Sequence, residues 1–150
     1  ENCSNNFIPA VAIHSPYSVH PILIKEVLQI AKEKNLSVSS HFQESDQENR
    51  WLNYSDGEFG DFFNNFLNQS KSLTTPKEFL EQFKNIDNLS FTHCAVANKD
   101  ELNYIKKLNG SVIHCPKSNR LLTNNTLDLE HLENINLALG TDGLSSNNSL

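Results

Sequence analysis

The apolar positions of this chain fall into short β-prone runs that alternate with stretches of helical spacing. Val11-Ala12-Ile13 predicts a first strand that ends at His14. Ser18 stands where a helix N-cap is expected. Leu23, Ile24, Val27, Leu28, Ile30 and Ala31 follow as a wide apolar stripe, predicting a helix that encloses His20 and closes at Asn35. Leu36 to Phe42 predicts a second strand, with His41 near its end. From about Leu52 to Thr74 the pattern loses regularity and predicts a loop with a short amphipathic helix around Phe59, Phe62, Phe63 and Phe66. Thr75-Pro76-Lys77-Glu78 is a strong helix start, with a Thr cap, a first-turn Pro and a Glu three residues after the cap. Leu89 to Thr92 predicts a third strand ending at His93. Asn98 and Glu101 repeat the capping arrangement ahead of Leu102, Ile105 and Leu108, and Gly110 ends that helix. Ser111-Val112-Ile113 predicts a fourth strand ending at His114. A weaker helix follows near Leu127 to Leu132, and His131 is assigned to it. Ile135 to Leu139 predicts the last strand, followed by Gly140-Thr141-Asp142-Gly143.

This β-α alternation predicts an α/β fold of parallel strands with crossover helices. An open doubly wound sheet and a (β/α)8 barrel both fit the pattern.

Composition narrows the function classes. The chain has 150 residues, 12 basic and 18 acidic, and a net charge of -6. That balance argues against a nucleic-acid binder, which carries a basic face. No run approaches the roughly 20 apolar residues of a membrane span. Three cysteines, Cys3, Cys94 and Cys115, make no disulfide framework and favour a reducing, cytoplasmic setting. The chain has no methionine and opens with Glu1, which predicts a processed or excised piece.

The chemistry is concentrated where the strands end. His14, His41, His93, His114 and Asp142 each follow or close an apolar β-run. In a parallel sheet all the C-terminal strand ends share one face, and that face carries the active site. A single strand-end His is more often a structural residue than a ligand, but the joint pattern reverses that preference. Imidazole and carboxylate together suit zinc or iron(II), and a catalytic metal site keeps a position for water of lowered pKa. A metal-dependent hydrolase follows. Glu44, three residues past His41, is placed to donate a proton to a ring nitrogen. If His93 and His114 face the site, alternation turns Cys94 and Cys115 towards the helices, which argues against a Cys2His2 zinc site. Neither a glycine-rich phosphate loop nor a nucleophile elbow is present.

The ordered segments His14-Ser15-Pro16-Tyr17-Ser18, His41-Phe42-Gln43-Glu44, Thr92-His93-Cys94, His114-Cys115-Pro116-Lys117-Ser118-Asn119 and Gly140-Thr141-Asp142-Gly143 resemble the amidohydrolase superfamily, in its branch of chlorohydrolases and aromatic deaminases. The resemblance implies part of a (β/α)8 barrel, about strands four to eight, with the first-strand half missing. It implies one divalent metal ion, zinc or iron(II), with His41 and Asp142 as ligands. The H-x-H pair of the family's first strand has no counterpart here. By the same likeness His93 orients the hydrolytic water and stabilises developing charge, Glu44 protonates the substrate ring, and Asp142 takes the water proton. His14, Glu44, His93 and Ser146 contact substrate, and His114 has a less defined role. The implied substrate is a small purine nucleoside, with no nucleic-acid or membrane partner and with a homodimer left open. Ser40-His41-Phe42-Gln43-Glu44-Ser45 and Arg50-Trp51-Leu52 are similar to the aminofutalosine deaminases of menaquinone biosynthesis. Deaminases of methylthioadenosine, S-adenosylhomocysteine or guanine, a chlorohydrolase, and a non-catalytic fragment are the alternatives.

Overall fold

Thr75 shows how directly local sequence sets this backbone. Its hydroxyl accepts from the Glu78 N–H, and the Glu78 carboxylate accepts from the Thr75 N–H at 2.8 Å. Two of the helix's orphan donors are thereby satisfied. Asn98 and Glu101 build the same reciprocal cap one crossover later.

The computed structural model describes residues 7–146. The elements run β1 (Ala10–Ile13), α1 (Pro21–Glu33), β2 (Ser37–Phe42), α2 (Asp46–Tyr54), α3 (Gly57–Leu67), α4 (Pro76–Glu81), β3 (Leu89–His93), α5 (Lys99–Lys107), β4 (Ser111–His114), α6 (Pro116–Leu122), a 3₁₀ turn (Leu129–Leu132) and β5 (Asn136–Leu139). All five strands are parallel and pair in chain order, β1-β2-β3-β4-β5. A doubly wound sheet reverses its strand order at a switch point. This sheet never reverses, which is the winding of a (β/α)8 barrel and makes the chain part of one.

Several local expectations change. Helix α1 begins at Pro21, not after Ser18, because proline's fixed φ and missing N–H suit the first helical position. His20 therefore caps the helix instead of lying inside it, its ring accepting from the Ile22 N–H. The irregular region is two helices, α2 capped by the Ser45 hydroxyl and the Phe-rich α3. The weak helix near Leu127 shrinks to one 3₁₀ turn, with an exposed His131 facing Asp128. Helix α6 was not expected at all. Cys3 lies outside the described residues.

The core explains which face of the sheet is left for chemistry. Val38, Phe42, Leu89, Phe91 and Val112 are buried against Ile24, Leu28, Phe79, Leu102 and Ile105 of the helices and Phe83 of the turn after α4. Each such side chain contributes about 1.5–3 kcal/mol by leaving water. The opposite face carries the alternate residues Ser37, Ser39, His41, Ser90, Thr92, Ser111 and Ile113, all half-buried. A smaller cluster of Trp51, Leu52 and Phe63 fixes α2 and α3 beyond the end of β2, with the Trp51 and Phe63 rings stacked 4.8 Å apart.

Candidate active site

His41 sits on the open face of β2, one residue before its end. Its Nδ1 donates to the His14 carbonyl at 2.7 Å. A carbonyl can only accept, so the proton must be on Nδ1 and the neutral ring keeps a lone pair on Nε2. This is how a backbone group prepares an imidazole for a metal. The His14 ring itself is exposed and meets the Ser18 hydroxyl at 2.6 Å and the Ser15 hydroxyl at 3.1 Å. Its centroid lies 5.2 Å from that of His41, at the rim of the site.

His93 reaches the site by a different route. In the ladder it is paired with Phe42, a core residue, and it shares the parity of Leu89 and Phe91. Regular alternation would point it into the helix layer. Instead φ is +73° at His93 and +50° at Cys94. That left-handed backbone, costly for residues with a Cβ, redirects the chain end. The His93 ring stacks on His41 at 5.4 Å, while Cys94 turns into the core. Strained residues of this kind concentrate at functional sites. The His93 Nδ1 contacts Asn119 Oδ1 at 2.8 Å, and its Nε2 lies 3.7 Å from Glu44 Oε1.

Asp142 completes the convergence from the turn after β5, also with a left-handed φ of +62°. Its Oδ2 accepts from the Ser118 hydroxyl at 2.5 Å and from the Ser146 hydroxyl at 3.2 Å. Burial raises its pKa, but the Ser118 bond, the nearby His93, the Gly143 N–H and Ser146 outweigh this and hold the carboxyl below its ordinary range. One ligand atom from each of His41, His93 and Asp142 lies within 4.8 Å of the others. Two imidazole nitrogens and an ionised carboxylate fit a divalent ion such as zinc or iron(II).

Glu44 is set at the lip of this cluster by a residue that sequence reasoning passed over. The buried Glu48 accepts from the Gln43 N–H at 3.0 Å with one oxygen and from the Glu44 N–H at 2.9 Å with the other. This pins a turn in which Gln43 is left-handed, at φ +50°. Burial pushes the Glu48 carboxyl up to about 7 against the pull of those two N–H groups. The signal was legible as Ser45-Asp46-Gln47-Glu48, a cap followed by Glu at the third helical position. Beside Glu44 opens a groove of about 420 Å³ lined by Tyr17, Phe59, Glu48, Leu122 and Asn125.

His114 does not join the cluster. It is buried behind it, with Nδ1 3.5 Å from Asn119 Nδ2. Burial, then the neighbouring His93, lowers its pKa. Cys94 and Cys115 are buried too, and burial raises both thiols. Neither belongs to the ligand cluster. Among the described residues no helix is long and apolar enough to cross a membrane.

The profile of the Amidohydrolase family matches residues 3–150. The chain is 52% identical over 147 residues to an aminodeoxyfutalosine deaminase of a Nitratiruptor species, covering 98% of this chain and 36% of that one. The crystal structure of Helicobacter pylori aminofutalosine deaminase superposes with a TM-score of 0.85 at 38% identity, over 92% of this chain and 36% of that chain. The same enzyme has been solved with methylthio-coformycin. An adenosine deaminase from Xanthomonas campestris with bound zinc matches with a TM-score of 0.70 at 27% identity, over 94% of this chain and 29% of that one. The chain thus spans about a third of the length of the relatives it matches.

Proposed function

The chain belongs to the amidohydrolase family, and from that premise we propose that its full-length protein is a metal-dependent deaminase of an adenine-type nucleoside. Aminofutalosine, an intermediate of menaquinone biosynthesis, is the leading substrate. The observation that carries the proposal is the meeting of His41, His93 and Asp142 within 4.8 Å, with Glu44 3.7 Å from His93. The likeness to a Nitratiruptor aminodeoxyfutalosine deaminase and to the Helicobacter pylori aminofutalosine deaminase structure supports the choice of substrate. In this reading residues 1–150 belong to one hydrolase barrel domain.

His41 and Asp142 would hold the metal. When bound, a divalent ion supplies a water nucleophile of lowered pKa. Asp142, its carboxyl held ionised, is placed to take a proton from the attacking water. His93 presents its Nε2 lone pair to an O–H of the incoming water and so orients it towards the reacting carbon. Glu44 carries the proton to the adjacent ring nitrogen. A carbon–oxygen bond forms at the ring carbon, Asp142 returns its proton to the exocyclic nitrogen, the hydroxyl proton goes back to Glu44, and the bond to that nitrogen breaks as ammonia leaves. Tyr17 and Phe59, 4.9 Å apart in an edge arrangement beside Glu44, offer aromatic surface to the substrate. Ser146, bonded to Asp142, and His14, with its ring 5.2 Å from that of His41, are the further residues proposed to contact substrate. The H-x-H pair has no counterpart in these 150 residues, so the activity belongs to the full-length protein.

The test is ammonia release by metal-loaded full-length protein from aminofutalosine, methylthioadenosine, S-adenosylhomocysteine, adenosine and guanine. Turnover of aminofutalosine at the highest kcat/KM is expected. Release from none of them would overturn the deaminase reading, and chloride release from a chlorinated ring would replace it with a chlorohydrolase.

A further inference from the structure

Helix α6 supports the site from behind through two consecutive residues. Ser118 donates to Asp142, and Asn119 contacts His93. Both are fully buried, at 0% exposure. Asn119 is placed between two histidines, with Oδ1 2.8 Å from His93 Nδ1 and Nδ2 3.5 Å from His114 Nδ1. We propose that Asn119 is a positioning residue whose amide fixes His93 as its Nδ1–H tautomer and so presents the Nε2 lone pair to the site.

An amide has one accepting end and one donating end. With Oδ1 towards His93, the His93 proton must lie on Nδ1 and Nε2 faces Glu44 as an acceptor. With the amide reversed, Nδ2 would donate to His93 Nδ1 and Nε2 would carry the proton. His93 would then offer the site a donor, unable to accept from Glu44 or to join a ligand set. The structure turns Oδ1 to His93 at 2.8 Å and Nδ2 to the buried His114 at 3.5 Å, and in that orientation the neutral His114 ring accepts through Nδ1. The remaining buried histidine thereby gains a task, holding the orientation of the amide that orients His93. The Asn119 backbone is separately anchored, its N–H donating to the Cys115 carbonyl at 2.9 Å and its carbonyl accepting from the Thr123 hydroxyl at 2.9 Å. A change of side chain therefore leaves the helix bonds in place.

Tautomers are read directly by long-range ¹⁵N–¹H correlation on ¹⁵N-histidine-labelled full-length protein, as purified and after chelation. The His93 signals are assigned by their loss in His93→Ala. A pyrrole-type Nδ1 and a pyridine-type Nε2 are expected in the chelated protein. A protonated Nε2 there would overturn the proposal, whether or not any variant folds. Asn119→Leu, similar in shape but without an acceptor, is expected to release the tautomer. Asn119→Asp, which still accepts from Nδ1–H, is expected to keep it. For turnover the inference rests on the deaminase reading. There Asn119→Leu is expected to lower kcat by about 10–100-fold with KM little changed, and Asn119→Asp to recover part of the loss. A folded Asn119→Leu with wild-type tautomer and kcat would also overturn it. The NMR readout needs no substrate, so failure of the deaminase reading and failure of this one are distinct.

Discussion

Glu44 and His93 face each other across the open end of the sheet, Glu44 Oε1 to His93 Nε2 at 3.7 Å, although 49 positions separate them in the chain. At that separation a substrate atom or a water fits between them, which suits an acid that protonates a ring and a histidine that orients the attacking water. Neither residue gets there by its strand alone. Glu44 depends on Glu48 beneath its N–H, and His93 on a left-handed backbone.

Glu44→Gln keeps the shape and the N–H to Glu48 but carries no transferable proton. A fall in kcat of about 10²–10⁴-fold is expected, with metal content unchanged by elemental analysis. Activity within tenfold of wild type would remove Glu44 from proton transfer.

Metal retention should depend on Asp142 and, through it, on Ser118. Asp142→Ala and His41→Ala are expected to purify with much less than one equivalent of metal, while Cys94→Ala and Cys115→Ala keep theirs. Ser118→Ala removes a hydrogen bond to the ionised carboxylate, so the Asp142 pKa rises. Protons then compete with the metal at higher pH. The midpoint of zinc binding against pH should move up, never down. An unmoved midpoint would mean that Ser118 does not set this charge.

Glu48 gives a pH dependence with a definite sign. Its carboxyl is raised by burial from an ordinary value of 4.5 to about 7. Between those values the folded protein holds a proton that the unfolded chain has released. This stabilisation is fully present below about 4.5 and is lost as pH rises through about 7, roughly 3 kcal/mol in all. Glu48→Gln, neutral throughout, should flatten that segment of the Tm–pH curve. The same variant replaces one accepting oxygen by a donor facing an N–H, so its kcat should fall as the Glu44 turn loosens.

Gly140 is held by space and not by its backbone angle. A Cβ there would lie 2.9 Å from Ile113 Cγ2 and 3.0 Å from Cys115 Sγ, while the Gly140 N–H donates to the His114 carbonyl at 2.9 Å. Gly140→Ala should cost about 1–3 kcal/mol, seen as a lowered Tm. Because Asp142 follows two residues later, metal affinity should weaken as well.

Much of this arrangement is local and therefore written along the chain. Thr75 with Glu78 and Asn98 with Glu101 are caps closed within one turn, so spacing alone reveals them. Apolar alternation at Val38, Phe42, Leu89, Phe91 and Val112 follows from the period of a strand, and parallel strands put His41 and His93 at one end. Other features escaped because they depend on partners far away. Helix α6 has few apolar residues to mark it, and what it does is donate to Asp142 and accept from His93. His114 obeys the same strand-end pattern as His93 yet stays behind the site, a distinction with no trace in residue type.

The sequence by itself determined the order of the five strands, the caps at Thr75 and Asn98, and the supply of imidazole and carboxylate at the strand ends, because these depend on neighbours a few residues apart. Only the tertiary structure decided that the sheet winds without reversal, that His93 leaves its strand parity to stack on His41, and that Asn119, Ser118 and the His14 carbonyl fix what each ligand atom can donate or accept. Those outcomes rest on contacts between residues 24 to 27 positions apart and, at His93 and Cys94, on left-handed backbone that costs such residues energy unless the surroundings hold it.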